Sequence, residues 1–281
     1  MATFVLVPGA WLGAWAWEDT ARTLRERGHT ALPLTLTGMA EHADQGGPET
    51  DLDTHIADIT GFIERNDLRD VTLVAHSYAA APATGAAGRL GDRLERVIYV
   101  DSAPFAAGMR MLDLMPPQAA DQLRQQVDAS GDGWRLPMPP IEILGLSSNL
   151  DGLDESRRNA LRSRATPQPF GTYTQRLAGP AEPAPGVDRV LVACHDFTGL
   201  LDSGVPMLAY LNQPPWRRFD LPTGHWPMLS APAELADILD TAVSDRVGSG
   251  GIAPAGNVIR AGRPARPGCS WHALASAPER S

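Results

Sequence analysis

The sequence predicts an α/β domain: a mostly parallel sheet covered by helices on both faces, with a lid inserted over one edge. Three observations predict it. Short apolar runs rich in Val, Ile and Leu recur along the chain, as strands buried on both faces require. Helix-compatible stretches separate them, and that alternation marks parallel strands joined by crossovers. Between Pro104 and Val187 the alternation lapses into sequence rich in Pro, Gly, Met and polar residues, too long for a bare loop in a compact domain.

The expected strands are FVLV (4–7), ALPLTL (31–36), VTLVA (71–75), RVIYVDS (96–102), RVLVAC (189–194) and WRRFDLP (216–222). Leu52, Ile56, Ile59 and Ile63 fall on one face at helical spacing, and residues 79–90 are helix-compatible. Within the inserted segment, helices are expected near 118–127 and 154–164. Leu235, Ile238, Leu239 and Ala242 mark a last helix, with Ser230 and Pro232 as start signals. At 281 residues and 43% hydrophobic content, one domain over residues 1–247 accounts for the chain, with the lid at about 104–187. From 248 to 281, small residues, Pro and Arg replace any periodic pattern, which reads as a disordered tail.

Composition excludes several function classes. A formal charge of -9 argues against nucleic-acid or anionic-membrane partners, which call for a basic surface. All 24 basic side chains are arginine, so no catalytic lysine exists. Cys194 and Cys269 make no disulfide framework. No His, Cys and carboxylate cluster has metal-ligand spacing, so neither metal nor dissociable cofactor is expected. The first residues run straight into an apolar strand without a basic or long apolar leader. A soluble, cytoplasmic protein acting on a small molecule is the expectation, and nothing in the chain specifies an oligomeric state.

The run VTLVAHSYAAAPATG (71–85) carries the chemistry. A buried strand turns sharply at Ser77 into a helical stretch, the layout that presents a nucleophilic serine, with small residues two before (Ala75) and two after (Ala79) because the two backbones approach closely there. A serine hydroxyl needs a base. His225, in the loop PTGHWPMLS (222–230) after the last strand, is the candidate, and His76 reads as architectural. The acid that orients the imidazole is expected to be Asp196, after the strand ending at Cys194, with Asp101 and Asp202 as rivals. Oxyanion donors are expected from the amides of Tyr78 and of Ala10, where Gly9 lets the PGAW loop approach. Trp11, Phe105, Met109, Trp226 and Met228 are the candidate apolar pocket residues.

Together these blocks resemble the α/β-hydrolase superfamily, and within it the branch of plant methylesterases and hydroxynitrile lyases. FVLVPGAWLGAWAW (4–17) is similar to that branch's FVLVHGAWHGAWCW, LPLTLTGMAEHAD (32–44) to its LTGxGER loop, and VIYVDSAP (97–104) and LPTGHWPMLSAPAELADIL (221–239) to its later blocks. The resemblance covers residues 3–245 outside the lid. It implies Ser77 as nucleophile, His225 as base and the Ala10 and Tyr78 amides as oxyanion hole.

Three positions depart from the pattern. Pro8 stands where the branch has His, Ala79 where it has a second Gly, and VACHDF (192–197) where it has VCTED, which aligns Phe197 with the acid unless the loop adjusts by one residue. The resemblance implies hydrolysis of a small, largely apolar ester or lactone through an acyl-enzyme. A cyclase, lactonase or carbon–carbon hydrolase, or a non-catalytic binding protein on the same fold, are the alternatives. Cyanohydrin cleavage is excluded because Trp226 occupies the position of that reaction's lysine.

Overall fold

In the computed structural model, residues 1–244 are described; the expected domain limit at 247 and the tail from 248 lie outside them. Among the described residues, six parallel strands form one sheet in the order β2-β1-β3-β4-β7-β8. They are β1 (Thr3–Val7), β2 (Thr30–Pro33), β3 (Val71–His76), β4 (Leu94–Val100), β7 (Asp188–Ala193) and β8 (Trp216–Asp220), one for each apolar run in the sequence. The second run is shorter than expected. It ends at Pro33, whose ring nitrogen cannot donate to a ladder, and β2 is accordingly an edge strand.

Alternation along the strands sorts side chains into two cores. Val5, Val7, Leu73, Ala75, Val97 and Tyr99 pack on one face beneath α2 (Leu52–Arg65) and α3 (Ala80–Ala87). Phe4, Leu6, Val74, Ile98 and Val100 pack on the other beneath α1 (Glu18–Glu26) and α10 (Pro232–Ser244). Central β3 is buried at every residue, as a strand covered by helices on both sides must be. Helix α2 starts where its caps dictate: Asp51 accepts from the Thr54 amide while Thr54 Oγ1 accepts from the Asp51 amide. Pro232 opens α10, but Ser230 does not cap it. Its hydroxyl bonds Trp226 O and Thr223 Oγ1 instead.

Between β4 and β7 the chain forms α4 (Pro117–Ser130), α5 (Ile141–Ser147), α6 (Glu155–Arg164) and α7 (Gly171–Thr174), with a two-strand antiparallel pair, β5 (Arg135–Leu136) and β6 (Gln168–Pro169). Helices α4 and α6 occupy the two expected positions. Asp154 caps α6 by accepting from the Arg157 amide. After β7 the chain enters α8 (His195–Asp202) at once, and a short α9 (Pro227–Ser230) precedes α10. Among the described residues, no helix is long and apolar enough to cross a membrane.

Candidate active site

Ser77 follows the last residue of β3, in the middle of the sheet, with φ of +52°. That left-handed conformation is uncommon for a residue with a Cβ, and strain of this kind gathers where the surrounding fold holds a functional side chain in place. Ala79 has φ -59° and ψ -14°. The turn therefore places its strain on Ser77 and none on the position where a second glycine was absent; alanine fits because the position is fully buried but conformationally ordinary.

His225 reaches Ser77 from the loop after β8, its Nε2 lying 2.9 Å from Ser77 Oγ. The inserted segment holds that loop. Asn149 O accepts the His225 amide at 2.8 Å and Asp151 O the Gly224 amide at 3.1 Å. A Cβ on Gly224 would collide with the carbonyl of Asn149, so only glycine lets the two backbones meet here. The other ring nitrogen, Nδ1, lies 2.6 Å from Asp101 Oδ2. An ionised carboxylate only accepts, so Nδ1 carries the proton and the Nε2 lone pair faces the serine hydroxyl.

Asp101, not Asp196, is therefore the carboxylate in contact with His225. It directly follows β4 with φ of +48°, a conformation Asp tolerates better than most residues. Its second oxygen accepts from the Cys194 amide at 3.0 Å, and its own amide donates to Val192 O at 2.7 Å. Asp196 lies in the first turn of α8, where a negative charge suits the helix N-terminus. Its Oδ1 accepts from Asn149 Nδ2 at 3.1 Å, so it steadies the residue that holds the His225 amide. The direct passage from β7 into α8 leaves no loop to bring Asp196 to the imidazole. Asp202 pairs with Arg218 at 2.9 Å.

Two further histidines hold the site from behind. His76 is buried, and its Nε2 donates to the carbonyl of His225 at 2.6 Å. Burial, assisted by the nearby His225, keeps its pKa well below the ordinary histidine value, so it is a neutral strut. His55, on α2, is the second. Its Nε2 donates to Thr37 O at 2.8 Å, leaving Nδ1 to accept the Tyr78 hydroxyl at 2.7 Å. Burial lowers the His55 pKa as well. Tyr78 stacks in parallel on Tyr173 with ring centroids 5.7 Å apart, tying the residue after Ser77 to α2 and to the inserted segment.

The PGAW loop lies against the serine. A Cβ on Gly9 would come 2.7 Å from His76 Nδ1 and 3.1 Å from Ser77 Cβ, so the loop backbone packs directly against Ser77 as only glycine allows. Trp11, at φ of +65°, is fastened to the inserted segment. Its amide donates to Gln168 Oε1 at 3.2 Å, its indole Nε1 to Leu136 O at 3.0 Å, and its carbonyl accepts from the Thr166 amide at 3.0 Å.

The model of the alpha/beta hydrolase family matches residues 4–238, from β1 into α10. The chain belongs to that family. It is 31% identical over 239 residues to a carbendazim hydrolyzing esterase of Nocardioides sp. (strain SG-4G), covering 85% of this chain and 98% of that protein. It is 23% identical over 244 residues to a putative chloroplastic methylesterase 14 of Arabidopsis thaliana, covering 84% of this chain and 70% of the other. Among solved structures, an extracellular alpha/beta-hydrolase from a Paenibacillus species superposes with a TM-score of 0.73 at 19% identity, over 86% of this chain and 99% of that one.

In this alpha/beta hydrolase a cavity of about 360 Å³ opens at Ser77 and Tyr78. Phe105 and Met109 line it, together with Met111, Tyr99 and Trp216. Trp226 and Met228 do not. Both are buried in the core on the opposite face of the sheet, Trp226 with its ring edge-on to His225 at 4.9 Å. They flank the histidine in sequence, but the turn into α9 sends them inward to pack rather than outward to substrate. Trp11 lies outside the cavity wall, since its side chain is committed to β5 through Leu136.

Proposed function

We propose that this alpha/beta hydrolase cleaves small, largely apolar carboxylic esters or lactones through an acyl-enzyme on Ser77. The observation that carries the reading is the continuous chain of hydrogen bonds from Ser77 Oγ through His225 to Asp101, at 2.9 and 2.6 Å. A nucleophile, a base and an orienting acid in this order form the arrangement that makes a serine hydroxyl reactive. The chain is a carboxylic-ester hydrolase, in keeping with the esterase and methylesterases it is similar to.

The steps follow from the geometry. His225 Nε2 takes the Ser77 proton as Oγ attacks the ester carbonyl, and Asp101 stabilises the imidazolium that forms. The amides of Ala10 and Tyr78 receive the developing oxyanion, each donor contributing a factor of about 10² to 10³ in rate. His225 returns the proton to the leaving alcohol. Water, deprotonated by the same nitrogen, then attacks the acyl-enzyme and releases the acid. The segment between β4 and β7 serves as the lid: it supplies Phe105 and Met109 to the cavity and holds both the His225 loop and Trp11. The sequence left a non-catalytic binding protein open because of the irregular block around Asp196; the contact of Asp101 with His225 supports the catalytic reading instead.

The test is turnover of p-nitrophenyl acetate and butyrate by the wild type and by Ser77→Ala, with intact-mass detection of a stalled acyl adduct. Burst release of p-nitrophenol and an acyl group on the peptide containing Ser77 support the reading. Undiminished turnover in Ser77→Ala, or an adduct elsewhere, overturns it.

A further inference from the structure

The cavity at Ser77 does not stop at the edge of the sheet where the reacting groups lie. Ser77 stands one residue beyond the row in which His76 pairs with Val100, and the far wall is the row in which Val97, Arg189 and Trp216 are neighbours on β4, β7 and β8. Those rows are three residues apart along β4, so Ser77 stands four residues from the far row. At about 3.3 Å per residue the cavity therefore runs roughly 13 Å down the face of the sheet. Its walls are mainly apolar or aromatic apart from the Arg189–Glu182 ion pair at the far row, where half-exposed Tyr210 meets Trp216 with ring centroids 6.1 Å apart and exposed Met207 also lines the cavity.

The lining includes Ser77 and Tyr78 but not His225. The leaving alcohol must depart on the His225 side, because that nitrogen protonates it. The group left attached to Ser77 is then the one that faces down the cavity. We infer that this cavity is an acyl tunnel, so that the preferred substrates are esters of unbranched medium-chain carboxylic acids with a small alcohol. The inference rests on the esterase reading above and adds which half of the ester is recognised, and how long it is.

The tunnel sets a length. Carbon–carbon bonds of about 1.52 Å at about 111° advance an extended chain about 1.25 Å per carbon, so roughly 13 Å holds about ten carbons. Beyond that the chain passes Met207 and Tyr210 into water, where further methylenes gain nothing.

The test is kcat/KM for p-nitrophenyl esters from acetate to dodecanoate, with wild type, Val97→Phe and Leu208→Trp. Leu208 is a second wall residue, opposite the sheet. In the wild type kcat/KM should rise by up to about fourfold per methylene, the fold-change equivalent to about 0.8 kcal/mol, and level off near decanoate. In each filled variant the octanoate-to-acetate ratio should fall at least about tenfold, the loss of two or more buried methylenes. Val97→Phe adds volume inside a central strand, so Leu208→Trp, a buried position in the short helical turn Pro206–Asn212 outside the sheet, provides the same obstruction from an element that can shift without disturbing the strands. A wild-type rate that declines from acetate onward, or a ratio unchanged in a folded filled variant, overturns the tunnel while leaving the esterase intact. Absence of Ser77-dependent acetate hydrolysis overturns the esterase reading itself.

Discussion

Nδ1 of His225 lies 2.6 Å from Oδ2 of Asp101, a residue held at the end of β4 with φ of +48°. The second oxygen of the same carboxylate is clamped by the Cys194 amide from the end of the neighbouring strand β7. Two adjacent strand ends thus fix one carboxylate, and through it the tautomer and angle of the imidazole. Burial and the adjacent Asp101 push the Cys194 thiol pKa well up, so the sulfur stays neutral beside that charge.

Gly9→Ala should damage catalysis more than folding. The added Cβ would meet His76 Nδ1 at 2.7 Å and Ser77 Cβ at 3.1 Å, so the loop must withdraw from the serine. A loss of about 10² or more in kcat is expected from a displaced oxyanion donor. Steady-state kinetics beside a urea denaturation curve check it, the expected result being a fall in kcat with KM within about threefold, since a contact made mainly in the transition state lowers kcat.

Gln168→Ala should loosen the same loop from the other side. Gln168 is fully buried; its Oε1 accepts the Trp11 amide and its Nε2 donates to Thr172 Oγ1. Truncation leaves a buried amide unpaired at a cost of about 1–3 kcal/mol. Affinity for a trifluoromethyl ketone, which forms an oxyanion adduct on serine, should fall in parallel with kcat while KM for the ester changes little. A variant that loses only thermal stability would show that Gln168 has no part in placing the loop.

The buried histidines predict how stability responds to acid. His55 and His76 are both held below the ordinary histidine pKa by burial, whereas in the unfolded chain each takes up a proton near pH 6.5. Below that pH the unfolded state binds more protons, so the fold loses stability as pH falls toward the depressed folded values. Each histidine contributes a slope of up to about 1.4 kcal/mol per pH unit, roughly 2.7 for the pair. Urea midpoints between about pH 7.5 and 5.5 measure it, and His55→Gln, though less stable overall, should show about half the slope.

Much of this architecture was legible because its signals are local. Each strand of the six-stranded sheet coincides with a run expected from the sequence, the turn at Ser77 is marked by the flanking small residues, and His225 follows the last strand in the order that the fold requires. The carboxylate that meets His225 was not legible in the same way. Asp101 and Asp196 both stand just past strand ends, and only backbone direction decides between them: Asp101 turns back at positive φ, while Asp196 is drawn into α8. The sequence VDSAP, with Asp directly after a buried strand, was the available signal. Trp226 and Met228 misled for a related reason, since adjacency to His225 in the chain does not tell which face of the sheet a side chain meets. Strands β5 and β6, two residues each, are too short for any period to show, and the hold they exert on Trp11 is visible only in three dimensions.

The claim that the serine is activated through His225 by Asp101 is tested most directly by comparing kcat for Asp101→Asn and Asp196→Asn on one ester. Asp101→Asn should lose a factor of about 10⁴, as when an asparagine imposes the wrong imidazole tautomer in a serine protease, and Asp196→Asn should stay within about tenfold of the wild type, as expected of a residue outside the reacting groups. The reverse pattern, with Asp196→Asn the inactive variant and Asp101→Asn near wild type, would contradict the account.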